Sequence, residues 1–109
     1  MKKKIMVLTG SPRKNGNSEA LANAFIQGSE SVGHTIIKYD VSDNPVAGCL
    51  ACDACFSKGK ACVHDETFNT FTKLVQDVDA LVISTPLYWF SYPSQLKAVI
   101  DKFYAFAIC

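Results

Sequence analysis

Apolar residues along this chain come in short runs, each followed by a polar stretch and then, in most cases, by a segment with helical spacing. Ile5–Leu8, Thr35–Tyr39 and Ala80–Ser84 are the three runs, and their length and β-branched content read as strands. From Glu19 the period changes: Leu21, Phe25, Gly28 and Val32 fall on one helical face, with Ala20 and Ala24 beside them. Ser18 is the expected N-cap of this helix, Glu19 complements its dipole, and Gly33 is its stop. A second helix is predicted with Asp65 as cap and Phe68, Phe71, Leu74, Val75 and Val78 as its buried stripe. A third starts near Pro93 or Ser94, with Leu96, Val99, Ile100 and Phe103 inward. Strand, helix, strand over this length makes a βαβ unit with parallel strands and a right-handed crossover. The order β-α-β-loop-α-β-α is that of one α/β domain over residues 1–109.

Composition narrows this only a little. The chain has 109 residues, enough for one small core, and a net charge of +1. No large field points to nucleic acid or to an acidic membrane. Lys2-Lys3-Lys4 reads as a solvated end, and the apolar run behind it is too short for a signal peptide. With no stretch long and apolar enough to span a bilayer, a cytoplasmic chain is expected. Five cysteines then argue for thiol or metal chemistry rather than a disulfide framework.

Chemistry concentrates in three stretches. The first is Leu8-Thr9-Gly10-Ser11-Pro12-Arg13-Lys14-Asn15-Gly16-Asn17-Ser18, a polar loop between a strand and a helix N-terminus. Such an N-terminus leaves backbone N–H groups unpaired and favours negative charge, so the stretch suits an anion. Ser11, Asn17 and Ser18 add short donors, and Arg13 adds a planar cation suited to phosphate. Gly16 is followed by Asn17-Ser18 rather than Lys-Ser/Thr, which excludes a Walker A loop; two glycines exclude the three-glycine dinucleotide fingerprint. The alternative is a serine cap preceded by an ordinary polar turn.

The second stretch is the loop Ser42–Asp65, where periodicity disappears; a loop this long is functional or disordered. Cys49-x2-Cys52-x2-Cys55-x6-Cys62 places four thiols within fourteen residues. The spacing suits an iron-sulfur cluster first and also allows tetrahedral zinc. The alternatives are four reduced surface cysteines or one reactive thiol. His64 is at most an auxiliary ligand, His34 reads as an exposed polar residue, and Cys109 has no spacing partner. The third stretch, Thr85 to Pro93, is rich in aromatics; Tyr88, Trp89 and Phe90 form either ligand walls or plain core and interface. No Ser/His/Asp set or carboxylate pair stands out, so no residue is assigned a catalytic role.

Gly10-Ser11-Pro12-Arg13-Lys14-Asn15-Gly16-Asn17-Ser18 closely resembles the phosphate loop of flavodoxin-like NAD(P)H-dependent FMN oxidoreductases, in the branch that contains the iron-sulfur flavoproteins. Pro86-Leu87-Tyr88-Trp89 matches that family's flavin-touching Pro-x-Tyr-Trp segment, and the cysteine pattern is the one that ligates a four-iron cluster in iron-sulfur flavoproteins. The resemblance spans essentially the whole chain but only the N-terminal part of the family's domain. It implies a flavodoxin-like three-layer sandwich whose parallel sheet has strand order 2-1-3 here, truncated before the C-terminal strands. It also implies FMN, with its phosphate on Ser11, Arg13, Asn17 and Ser18 and its ring against Thr85, Pro86, Leu87, Tyr88, Trp89 and Phe90.

The implied enzyme moves electrons from NAD(P)H through the flavin to a quinone, azo, nitro, flavin or protein acceptor. The alternatives are an electron-transfer protein with a 4Fe-4S cluster on Cys49, Cys52, Cys55 and Cys62, or a non-catalytic fragment. With the later strands missing, Ala80–Ser84 is expected at an open edge, and Phe103 and Phe106 are expected to lack cover. A homodimer or higher oligomer, or a separate chain completing the domain, follows as an expectation.

Overall fold

A computed structural model describes residues 1–57 and 59–108, so Cys109 lies outside the described residues. Strand β1 (Lys4–Thr9) occupies the middle of a parallel sheet, flanked by β2 (Thr35–Asp40) and β3 (Ala80–Ser84) in the order β2-β1-β3. Leu8 pairs in register with Tyr39 on one side and Ile83 on the other, and Thr9 with Asp40 and Ser84. β1 is apolar from Ile5 to Leu8 because both of its faces are covered there. Ile5 and Val7 face helix α1 (Asn17–Ser31) and pack with Ala22, Ile26, Ile36 and Val82. Met6 and Leu8 face the other way, into the larger core. There they meet Phe68 and Phe71 of helix α2 (Glu66–Val75) and Leu96 and Val99 of helix α3 (Ser94–Asp101). Three layers result, as expected of a flavodoxin-like sandwich.

Two expectations about α1 are corrected. Its N-cap is Gly16, not Ser18, and no side chain caps it. Its buried stripe runs through Ala22 and Ile26, whereas Leu21, Phe25 and Val32 are exposed. Both stripes have helical period, so periodicity alone does not choose between them. The choice is made by Ser84, whose Oγ donates to the carbonyl of Ser18 at 2.7 Å and turns the Ser18–Ala22–Ile26 stripe toward the sheet. Gly33 does end the helix region: its φ is +94°, and its N–H reaches the carbonyl of Glu30 at 3.0 Å.

On the opposite face, Asp65 caps α2 by accepting from the N–H groups of Thr67 and Phe68 at 3.0 and 3.2 Å. Leu74 is exposed rather than buried; the other four members of the expected stripe pack on the core. After Asp101 the chain tightens into a 3₁₀ segment, Lys102–Ile108. This folds Phe103 flat against Phe71, with centroids 6.0 Å apart, and sets Phe106 against Phe68. Both rings are therefore partly covered, contrary to expectation. Among the described residues β3 pairs only with β1, so its outer edge is open. Among the described residues no helix is long and apolar enough to cross a membrane.

Candidate functional site

The carboxyl ends of β1 and β3 lie side by side, because Thr9 and Ser84 are register partners and the Gly10 N–H bonds the Ser84 carbonyl at 3.0 Å. The two following loops therefore share one end of the sheet, where ligands of open α/β sheets bind. Between them is a cavity of about 620 Å³, within the size range of ligand pockets. One wall is the loop before α1, with Ser11, Arg13, Gly16, Asn17 and Ser18. The other is Thr85, Pro86, Leu87 and Tyr88, and Leu21 of α1 closes the side.

Local chemistry explains how the first wall is held. Buried Ser11 accepts the Arg13 N–H on its Oγ at 3.0 Å, a tight side-chain turn. Its carbonyl accepts from Ser42 Oγ at 3.3 Å. Lys14 does not face the cavity; its Nζ reaches Asp40 at 2.6 Å and Asp43 at 2.7 Å, tying the loop to the end of β2. Burial alone would raise the Asp40 carboxyl, but the bonds from Lys14 and Ser42 outweigh it and hold the group below the ordinary carboxylate value. Arg13 makes no ion pair among the described residues and is the loop's available cation. The first helical bond is Ala20 N–H to the Gly16 carbonyl, which leaves the preceding N–H groups of an uncapped helix open.

The second wall ends in a strained tip. Tyr88 and Ser91 exchange backbone bonds of 2.8 and 3.0 Å around Trp89 and Phe90, whose φ values are +45° and +63°. That is the signature of a two-residue type I′ turn, a place for Asn or Gly rather than bulky aromatics. Trp89 and Phe90 are 91% and 86% exposed and do not line the cavity, unlike the other residues expected at this site.

The four cysteines of the long loop line one concavity, with His64 at its rim. All four are free thiols. The Ala51 N–H points at Cys49 Sγ, 3.4 Å away, and Ala51 and Asp53 are both left-handed, with φ of 56° and 60°. Alternating handedness turns backbone N–H groups inward, as around many anionic and iron-sulfur groups. Among the described residues no three His, Cys, Asp or Glu side chains converge closely enough for a single ion. The enclosed space is about 30 Å³, the room of about one water, so the concavity as folded does not hold a cluster. Cys49 and Cys52 are exposed, whereas Cys62 packs on the core and exchanges two hydrogen bonds with Asn69.

Several site residues escaped the sequence reading. Leu21 looked like core. Lys102 and Tyr104 form part of the cysteine concavity from about forty residues away. Tyr104 donates to Asp53 at 3.1 Å and packs at a tilt against Phe56; that bond, then burial and the nearby Asp53, Cys55 and Cys49, raise its pKa. The one available signal was a lysine at an inward position next to Val99 and Phe103.

Fold and site together define a doubly wound domain with an open cavity at the switch between its first and third strands, where such folds bind ligands. The chain belongs to the NADPH-dependent FMN reductase family, whose pattern matches residues 3–107. An iron-sulfur flavoprotein of Archaeoglobus fulgidus is 30% identical over 91% of this chain and 44% of that protein. Another, of Methanosarcina thermophila, is 32% identical over 91% of this chain and 51% of its own length. The solved NAD(P)H:quinone oxidoreductase from Methanothermobacter marburgensis superposes with a TM-score of 0.78 at 21% identity, covering 95% of this chain and 54% of that one. This last likeness shows the fold. The chain spans about half the length of the curated relatives it matches.

Proposed function

We propose that the chain binds FMN between its two sheet-end loops and serves an oxidoreductase that moves electrons from NAD(P)H to a quinone, azo, nitro, flavin or protein acceptor. The observation that carries this reading is the cavity itself, with an uncapped helix N-terminus and an unpaired Arg13 on one wall and Leu87 and Tyr88 on the other. Membership of the FMN reductase family supports it. Bound there, FMN would supply the redox chemistry that links a reduced nicotinamide to the acceptor. The side chains bind and orient. Arg13, Ser11 and the helix N–H groups hold the phosphate, Thr85 to Tyr88 flank the ring, and Lys14 fixes the loop without spending its charge on the ligand. Four reduced thiols suit a cytoplasmic setting.

Titration of FMN and riboflavin into the wild type and Arg13→Ala tests the assignment. A charge-assisted contact contributes about 1.5–3 kcal/mol, so FMN should weaken about ten- to a hundredfold while riboflavin is unchanged. Equal affinity for FMN and riboflavin in the wild type would sink it.

A second reading, an iron-sulfur flavoprotein working in electron transfer, is favoured by the four thiols around one concavity. Its names come from relatives such as the A. fulgidus and M. thermophila proteins. Anaerobically prepared protein should then contain iron and acid-labile sulfide, and Cys52→Ala should lose both while keeping FMN.

A further inference from the structure

The loop before α1 is tied to the rest of the protein at few points. Its base is held on the β3 side by the Gly10 N–H on the Ser84 carbonyl. From Ser11 to Gly16, among the described residues, Lys14 is the one side chain that bonds outside the loop. Its Nζ enters a small network at the end of β2. Asp40 Oδ2 accepts from Lys14 at 2.6 Å, and Asp40 Oδ1 accepts the N–H and the hydroxyl of Ser42 at 2.8 and 2.7 Å. Asp43 accepts the same ammonium at 2.7 Å. Asp40 is a firm anchor, because it is the register partner of Thr9 and its side chain is only 16% exposed.

Arg13 and Lys14 are neighbouring cations, yet only Arg13 lines the cavity. Stability is a poor reason for the network, since the Lys14–Asp43 pair is more than half exposed at both ends and such pairs contribute little. We infer that Asp40 and Asp43 are positioning residues for the anion site: by holding Lys14 at the end of β2 they keep the loop ordered with Arg13 on the cavity wall. The inference rests on the FMN reading. Neither carboxylate lines the cavity, so each acts on the ligand by its charge through space or by its hold on the loop. The two routes have opposite signs. By charge alone, removing carboxylates near a phosphate tightens its binding. By loss of position it weakens binding, because the freed loop must then be ordered when the ligand arrives.

Dissociation constants for FMN and riboflavin are measured on the full chain as wild type, Asp40→Asn/Asp43→Asn and Lys14→Met/Asp43→Asn. The second variant removes one charge of each sign, so the net charge beside the cavity is unchanged and only the tether is lost. Both of its residues are more than half exposed, so it carries the test if the first variant does not fold. FMN should weaken about two- to tenfold in each variant, with riboflavin unchanged, because riboflavin has no phosphate for the loop to hold. FMN affinity equal to or above wild type in either folded variant overturns the positioning role. So does an equal loss for riboflavin, which marks a general structural effect. A wild type that binds riboflavin as tightly as FMN overturns the phosphate assignment and this inference with it.

Discussion

A Cβ built on Gly10 would lie 2.7 Å from Thr85 Oγ1 and 3.3 Å from Leu96 Cδ2. The two walls of the cavity thus approach each other through a residue with no side chain, and their separation is set by that contact. Gly10→Ala should push the Thr85 loop outward. Overpacking of this kind costs about 1–3 kcal/mol, visible as a lower urea midpoint, and FMN affinity should fall with it. Adding Thr85→Ala removes the nearest atom and should recover part of both losses. If Gly10→Ala alone changes neither, the contact does not set the spacing.

Trp89 and Phe90 hold left-handed backbone conformations at a cost of order 1–3 kcal/mol each. Their rings are almost fully exposed, so little packing offsets that cost. Trp89→Asn with Phe90→Gly supplies the residues a type I′ turn prefers, and the melting temperature should rise by about 4 °C or more. FMN binding should weaken if the aromatic tip covers the ring. A drop in melting temperature would show instead that the tip packs against something in solution.

Acid should destabilise the fold through Asp65. Burial alone would raise its carboxyl, but the bonds from Lys102, Ala47 and Phe68 outweigh this and hold it below the ordinary value. The unfolded chain then binds more protons than the folded one between the two pKa values, so stability rises with pH there. The contribution is complete above the unfolded value of about 3.9 and is lost as pH falls through the lower folded value. Urea midpoints should hold steady near neutrality and fall below about pH 4. Asp65→Asn should flatten that fall, leaving the smaller part due to Asp40, and cost about 3–5 kcal/mol at neutral pH by stranding the Lys102 charge. An unchanged acid profile in Asp65→Asn would remove Asp65 as its cause.

The open edge of β3 carries Leu81 and Ile83 with no lysine or proline inside the strand. Beside it, Val75, Leu81, Phe103 and Phe106 line an apolar groove of about 390 Å³. Such an edge is a template for pairing. The purified chain should form a two-fold dimer with β3 antiparallel to its copy, measured by light scattering at micromolar concentration. A folded, FMN-loaded monomer there would refute it. Ile83→Lys, which places a charge at the edge, should shift the equilibrium toward monomer.

Local pattern was enough for the strands, the order of elements, the Asp65 cap and the polar loop before α1, because each depends on neighbours in sequence. Ala80–Ser84 was legible to the residue as a short apolar run, although it is only partly covered and Ile83 is exposed. The loop residues from Ser11 to Ser18 and from Thr85 to Tyr88 were legible as two groups, since strand ends in a parallel sheet fall together. Tertiary structure decided what rests on contacts between distant residues. The rotation of α1 came from Ser84 bonding Ser18, 66 positions away, and it exposed Leu21 and Phe25 where helical period alone allowed burial. The division of labour between Arg13 and Lys14 came from two carboxylates on and after β2, which no pattern within the loop announces. Lys102 was drawn inward by a contact with Asp65, 37 positions upstream, which no local pattern announces.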